Sequence, residues 1–458
     1  MKSSLATVLP ALSDAAMTAD AAFSGVTTDS RKAAAGNLFV ALRGERFDAH
    51  AFLKEVVAQG VAAVVVEQLP PGLTAPALIV PDTRIALGDI ARHWRSTFRV
   101  PVIGVTGSNG KTTVKEMIAA ILCAAVGPAH TLATQGNLNN DIGVPLTLLR
   151  MDANCRAAVI ELGMNHPGEI ALLASIAQPT VGLVNNAQRE HQEFMQSVQA
   201  VAEENGAVLR SLPADGTAVF PADDVFTALW RSDAAASGQR KVLSFGLSAD
   251  ADVRCTFEPN DFGSDLQVTA GEQHFSVRLS AAGTHNVRNA LAAIACTLAI
   301  GIPAEAIVRG LESFAPVHGR LQRKTTRDSV LVIDDTYNAN PDSVRAAIDV
   351  LAHAASPRVL VLGDMGEVGN DGPQFHDEIG TYAKAQGIDY LFTLGELAQH
   401  SSHAFGAHAT HHHDIDMLNH AVETMLTPTT TVLVKGSRFM KMERVVQYLL
   451  DQPVSGAH

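Results

Sequence analysis

The sequence is poor in cysteine. Its four thiols, Cys123, Cys155, Cys255 and Cys296, are scattered over 458 residues, and no two stand at CxxC or another metal-ligand spacing. Neither a disulfide framework nor a cysteine metal site is expected, and the chain reads as one kept reduced in the cytoplasm. An excess of positive charge is also missing. Forty-seven acidic side chains against 34 basic ones leave a formal net charge of −13. That excludes a general nucleic-acid binder, but a local nest of amides with a few cations can still hold an anion. Long hydrophobic runs are absent too. The segment Met1-Lys2-Ser3-Ser4-Leu5 lacks an extended apolar core, and Pro10 and Asp14 interrupt the stretch after it, unlike a signal peptide. The most apolar stretch, residues 291–303, is too short to span a bilayer and reads as a buried helix, so no membrane insertion is expected. No internal repeat is present.

What is there is an ordinary globular balance, 47% hydrophobic and 18% charged. At about 100–200 residues per domain the length predicts three, which we divide at 1–99, 100–318 and 319–458. In the first, residues 37–42 and 61–66 read as buried strands around a helical stretch at 51–59 that Gly60 closes. Residues 87–98 read as a helix leading onward. The second opens with a strand at 102–106, a glycine turn and a helix over 111–125. Buried strands at 157–162 and 181–186 come next, each ending in polar residues, and ligands sit at the carboxyl ends of parallel strands. The alternating stretch 250–280 reads as a small antiparallel insertion. In the third, residues 330–334, 358–363, 390–395 and 431–435 are strands separated by helices, which implies a mostly parallel sheet. The fold class is therefore α/β in three domains. The tract 408–413, with four histidines, reads as a loop with adventitious metal affinity.

Gly107-Ser108-Asn109-Gly110-Lys111-Thr112-Thr113 lies between a predicted strand and a predicted helix, the context a phosphate loop requires. Its glycines let backbone amides turn toward phosphates. Lys111 supplies a point charge, Thr112 can place its hydroxyl on Mg²⁺, and the helix N-terminus adds a favourable dipole. Val105 occupies the first glycine position of the longer GxxxxGK[ST] form, but the GxxGKT core is intact. The loop alone says nucleotide and no more. Glu161, at a predicted strand end, is either a Mg²⁺ ligand opposite Thr112 or an ordinary terminal charge. The amide-rich run from Gln135 to Pro145 is either a substrate contact or a polar turn.

Further segments come in a fixed order: 136–145 (GNLNNDIGVP), 159–166 (VIELGMNH), 283–293 (GTHNVRNALAA), 335–341 (DTYNANP), 363–369 (GDMGEVG) and 434–437 (VKGS). Together with the phosphate loop they resemble the Mur ligases over essentially the whole chain. The segments 28–32 (TDSRK) and 44–50 (GERFDAH) resemble most the branch that adds D-alanyl-D-alanine. The resemblance implies an ATP-dependent amide ligase, working through an acyl phosphate, with UDP-N-acetylmuramoyl-tripeptide and D-alanyl-D-alanine as substrates and ATP and Mg²⁺ as cofactors. It implies a monomer with a UDP-binding first domain, an ATP-binding second and a third that closes over both. By similarity, Lys111 and the amides of Gly107, Ser108, Asn109, Gly110, Thr112 and Thr113 hold the phosphates. Thr112, Glu161 and His191 hold Mg²⁺, Asn289 faces the adenine, and Arg320 reaches the phosphates from the third domain. Asp335, with Tyr337 and Asn338, meets the ribose. Ser30 and Arg31 meet the uridine-diphosphate end, Asn137, Asn139 and Asn140 the muramoyl peptide, and Lys435 and Ser437 a carboxylate of the peptide or of the dipeptide.

One part of the pattern is broken. Mur ligases carry a lysine, carbamylated and metal-binding, downstream of the position matched by His191. Here Asn205 occupies that place, Glu203 and Glu204 stand beside it, and the surroundings of His191 read Gln188-Arg189-Glu190-His191. Direct supply of a carboxylate by Glu203 or Glu204 is one expectation, and a single well-held Mg²⁺ is the other. A sister ligase adding the third amino acid, a folylpolyglutamate synthase, and a nucleotide switch without catalysis are the competing readings. The N-terminal segments and residues 137–145 argue against the first two. Retention of Lys111, Thr112, Glu161, Arg320 and Asp335 argues against the third.

Overall fold

The computed structural model describes residues 1–44, 47–190, 192–236, 238 and 240–451. It is an α/β architecture of mostly parallel sheets, as the sequence predicts. The largest sheet has nine strands. At its heart Val102–Thr106 lies between Ala157–Glu161 and Val181–Val184, parallel to both, with Thr131–Ala133 beyond the first and Thr217–Pro221 and Lys241–Gly246 beyond the second. Every residue of the three central strands is buried, which is why they read as unbroken apolar runs rather than alternating ones. Their register puts Glu161 opposite Val105 and Val184 opposite Thr106. Chain reversals at one sheet edge thereby become neighbours.

The strands Val253–Asn260, Gly263–Ala270 and Gln273–Leu279 are antiparallel to one another, as the alternation implies. They are not a separate insertion. Phe245 pairs with Val253, so the hairpins continue the nine-stranded sheet, and their apolar face joins the core beneath the helices Lys111–Val126 and Thr284–Ala299.

The N-terminal region holds a five-stranded sheet that includes Leu38–Val40 and Ala63–Val66. The expected helix between them is a 3₁₀ turn, Ala49–Phe52, running into Leu53–Ala58. The helix leading onward is Thr83–Ser96, four residues earlier than its apolar spacing indicates, because Asp82 caps the amides of Arg84 and Ile85. This helix packs into the same core as the central sheet. At its end Arg95 is buried, and its guanidinium donates to the carbonyls of Ala177, Phe98, Val100 and Gln178. Desolvation pulls its pKa down from the ordinary arginine value.

The third region carries a six-stranded sheet in which Leu331–Asp335, Thr431–Lys435, Arg358–Gly363, Tyr390–Leu394 and Ala409–His412 run parallel. Gln322–Thr325 adds an antiparallel edge. The histidine tract is therefore an edge strand and not a loop. His411 bonds the Thr393 hydroxyl at 2.9 Å and His412 stacks on Phe392. Among the described residues no group of three metal-ligating side chains is assembled there or elsewhere, and no helix is long and apolar enough to cross a membrane.

Close helix packing under the phosphate loop depends on a missing side chain. Gly310, on the helix Ala304–Glu312, meets the backbone of Ile121 so closely that an added Cβ would overlap its Cα and N. The substitution Gly310→Ala is expected to overpack this crossing and destabilise the protein by about 1–3 kcal/mol, read as a lower urea midpoint. An unchanged midpoint would show that the helices slide freely.

Candidate active site

The strand edge opens into a cavity of about 830 Å³. Its walls come from the phosphate loop, residues 137–141, the end of Ala157–Glu161, the segment after Val181–Val184, the start of Thr284–Ala299, and residues 319–321 and 335–343.

The phosphate loop is held at its tip by asparagines. The Asn109 amide donates to Asn186 Oδ1 at 2.9 Å, and its carbonyl accepts from the side chains of both Asn185 and Asn186. Gly110 takes φ +81 at the helix N-cap, and an added Cβ would come within 2.5 Å of Asn289 Oδ1. A glycine is required here on both counts. Asn289 is committed on each side: it accepts from Asn185 at 3.0 Å and donates to Asn286 at 3.0 Å. Its amide underpins the loop while its residue lines the cavity.

Lys111 uses all its donors inside the protein. Its ammonium bonds the carbonyls of Gly107 (2.5 Å) and Ser108 (3.1 Å) and the carboxylate of Glu190 at 2.9 Å. The next residue, Thr112, donates to Glu161 Oε1 at 3.2 Å and accepts from Arg320 at 3.0 Å. Glu161 is 2% exposed; its Oε1 also accepts from Asn139 at 2.8 Å, and its buried Oε2 has no partner among the described residues. A buried carboxylate oxygen without a partner is costly unless a cation meets it. With Thr112 Oγ1 beside it, this donor set fits a hard divalent ion that takes its remaining ligands from water and phosphate.

From the third region Arg320 stacks on Tyr337, 4.2 Å from the ring centroid, and reaches Thr112. Asp335 and Lys435 are register partners on adjacent strands and form a buried pair at 2.6 Å; Lys435 also donates to the Asn338 carbonyl. Asp335, Asn338 and Lys435 line the cavity, as do Asn137 and Asn140.

Other expected residues lie elsewhere. Ser437 is buried, donating to Ala339 and accepting from the Gly366 amide, away from the cavity lining. Ser30 and Arg31 stand on the N-terminal region outside this cavity, with Arg31 exposed and paired to Asp29, whose pKa falls to about 2 through that hydrogen bond. His191 lies outside the described residues, as do Glu45 and Arg46 of the 44–50 segment. Neither glutamate beside Asn205 reaches the cavity. Glu204 caps the helix Glu169–Ala177 through the amides of Gly168 and Ile170, and Glu203 bonds exposed Gln199. Asn205 itself is buried behind the loop, accepting from Thr106 at 2.6 Å. The expectation that Glu203 or Glu204 supplies the missing carboxylate is therefore corrected: their positions on Val198–Arg210 point them at other partners.

Motifs in the sequence do not single out the segment that joins these parts. Gln188 exchanges hydrogen bonds with Ser108 and accepts from Asn109. Arg189 forks onto Asp342 (2.6 Å) and Glu378 (2.7 Å), on two helices of the third region, and lies over Phe375. Hydrogen bonding to Glu378 and Asp342 raises the Arg189 pKa, and Arg189 in turn lowers that of Glu378. Asn109 and Asn340 exchange side-chain hydrogen bonds across the same junction. The one signal in the sequence is the departure of residues 188–190 from the family pattern. Arg84, bonded to Asp141 at 2.7 Å, likewise ties the N-terminal helix to the cavity rim.

Three family descriptions match the sequence: "Mur ligase family, catalytic domain" over residues 22–95, "Mur ligase middle domain" over 105–297, and "Mur ligase, glutamate ligase domain" over 319–438. The chain is 41% identical to the UDP-N-acetylmuramoyl-tripeptide–D-alanyl-D-alanine ligase of Escherichia coli, over 94% of this chain and 95% of that one. It is 35% identical to the ligase of the same name from Bacillus subtilis, over 94% of each. Among solved structures, MurF of Acinetobacter baumannii superimposes with a TM-score of 0.91 at 35% identity, covering 99% of both chains. MurF of Thermotoga maritima in complex with ADP gives 0.83 at 26% identity, over 93% of this chain and 96% of that one.

The junction geometry has two measurable consequences. Replacing Arg189 by alanine removes charge-assisted bonds to two helices at once, about 1–3 kcal/mol of docking energy. Small-angle scattering should show a larger radius of gyration for Arg189→Ala than for the parent chain, and an equal radius would mean the apolar contacts alone hold the junction. The second concerns His285, at the cavity wall near Asp335, Lys435 and Asp349. Burial lowers its pKa to about 4. The folded state then binds fewer protons than the unfolded state between pH 6.5 and 4, so stability falls as pH falls through that window. From pH 7 to 4.5 the parent chain should lose up to about 2 kcal/mol more than His285→Gln, measured by urea unfolding. Parallel losses would place His285 in a polar environment.

Proposed function

The chain belongs to the Mur ligase family, and from that premise we propose that it is the ATP-dependent ligase joining D-alanyl-D-alanine to UDP-N-acetylmuramoyl-tripeptide. The observation that carries this reading is the meeting of Lys111, Thr112, Glu161 and Arg320 at one cavity wall, with residues from both sides of a domain junction. Residues 1–99 hold the uridine-diphosphate end through Ser30 and Arg31. Residues 100–318 hold ATP, and residues 319–458 close over it.

The chemistry is dictated by the weakness of a carboxylate as an acylating agent. The terminal carboxylate of the tripeptide attacks the γ-phosphorus, giving an acyl phosphate and ADP. The dipeptide amine then adds to the acyl carbon through a tetrahedral intermediate, and phosphate leaves with the carbonyl re-formed. Phosphoryl transfer needs positioning and charge neutralisation rather than covalent help. Lys111 and the loop amides orient the outer phosphates. Arg320, its plane fixed against Tyr337, brings a second positive charge from the third domain. Asp335 and Lys435 orient ribose and peptide groups, and Asn137, Asn139 and Asn140 the muramoyl peptide. Thr112 Oγ1 and Glu161 Oε2 would hold Mg²⁺, which would neutralise phosphate charge. Closure of the third domain excludes water from the acyl phosphate.

Phosphate release is the decisive assay. With ATP, Mg²⁺ and UDP-N-acetylmuramoyl-tripeptide, release should require D-alanyl-D-alanine and yield the UDP-pentapeptide. Release instead with a UDP-dipeptide and a diamino acid would move the protein to the sister activity. Replacing Arg320 by lysine should lower kcat by about 10²-fold.

A further inference from the structure

Lys111 is expected to meet phosphate, yet in the protein itself its ammonium already has an anion. Glu190 lies at 2.9 Å, and the two side chains are only 13% and 12% exposed. The carbonyls of Gly107 and Ser108 take the remaining donors. An ammonium has three N–H bonds, so a phosphate oxygen can bind Lys111 only by displacing one of these three acceptors, and whichever it displaces, it comes to lie in the place of the Glu190 carboxylate or close beside it. Glu190 also lines the cavity, on the segment whose neighbours Gln188 and Arg189 are fixed to the loop and to the third region. That attachment limits how far the carboxylate can retreat.

Two anions held near one cation in a partly dry cavity repel strongly. A divalent cation carried by the polyphosphate, held at Thr112 and Glu161, would offset this repulsion, because its double positive charge cancels much of the phosphate charge that the carboxylate meets. We infer that Glu190 makes nucleotide binding at the phosphate loop conditional on a divalent cation: its carboxylate stands in for a phosphate oxygen on Lys111 and repels a bare polyphosphate, whereas a cation-bound polyphosphate displaces it. Glu190 is thus a specificity-determining residue for the metal-complexed nucleotide. This inference rests on the reading of residues 107–113 as the nucleotide site.

The test is equilibrium binding of ADP to the full chain by calorimetry, once with Mg²⁺ and once with a chelator. The quantity read is the ratio of the two dissociation constants. The parent chain should bind ADP much more weakly without metal. In Glu190→Gln, which keeps the shape and an acceptor for Lys111, the ratio should shrink by about tenfold or more, chiefly through tighter metal-free binding. Glu190→Ala should behave alike, so a folding defect in one variant does not decide the matter. Glu203→Gln, at an exposed glutamate outside the cavity, should leave the ratio unchanged. An unaltered ratio in both Glu190 variants, with normal Mg²⁺–ADP binding in the parent, overturns the inference and leaves the nucleotide site standing. Equal tightening with and without metal also overturns it, because Glu190 would then be a counter-ion blind to the metal. Failure of the parent chain to bind ADP under either condition overturns the nucleotide reading as well.

Discussion

The parallel register of three strands is the constraint on which the site depends. Val102–Thr106 lies between Ala157–Glu161 and Val181–Val184, so their carboxyl ends stop side by side. One end launches the phosphate loop, one places Glu161 against Thr112, and one delivers Asn185 and Asn186 to the tip of the loop. No long side chain has to reach far. The three strands are buried on both faces and close-packed between two layers, so the spacing among these groups is as firm as the core. Rigid elements below and short polar contacts above are what a site for phosphoryl transfer needs.

The central strands and the phosphate loop were legible because buried parallel strands leave continuous apolar runs and the loop sits between a strand and a helix. The third sheet was legible for the same reason. Local patterns did not report what pairs across long separations. Whether residues 253–279 form their own unit or extend the main sheet depends on the pairing of Phe245 with Val253, which no periodicity encodes. The histidine tract resembled a loop because its histidines gave no apolar alternation, yet Tyr390–Leu394 offered it an edge. The role of Arg189 was not legible because its partners, Asp342 and Glu378, come from a different region of the chain. Glu203 and Glu204 were candidates by nearness in sequence to Asn205. On a helix, adjacent residues face different directions, and their actual partners are a neighbouring helix start and an exposed glutamine.

The cavity is thus defined by two kinds of residue. Lys111, Thr112 and Glu161 are set by the main sheet. Arg320, Asp335 and Lys435 are set by another sheet, and the contacts that hold the two groups together include segment 188–190, the Asn109–Asn340 pair and the Arg323–Asp261 ion pair. A site divided in this way is complete only while the two regions are docked.

The two junctions that flank the central sheet differ in kind. On the N-terminal side the Arg84–Asp141 pair is open to solvent, but Arg95 is buried among carbonyls and the core around that helix is apolar. On the other side the fastening is largely ionic, with Arg189, Asp342, Glu378 and Arg345 all within reach of solvent. Dissolved electrolyte screens exposed charges over about 8–10 Å at ordinary strengths, and it scarcely touches buried ones. Concentrating salt around this molecule therefore weakens one joint more than the other, which makes the hold on the third region a property of the surrounding solution as much as of the chain.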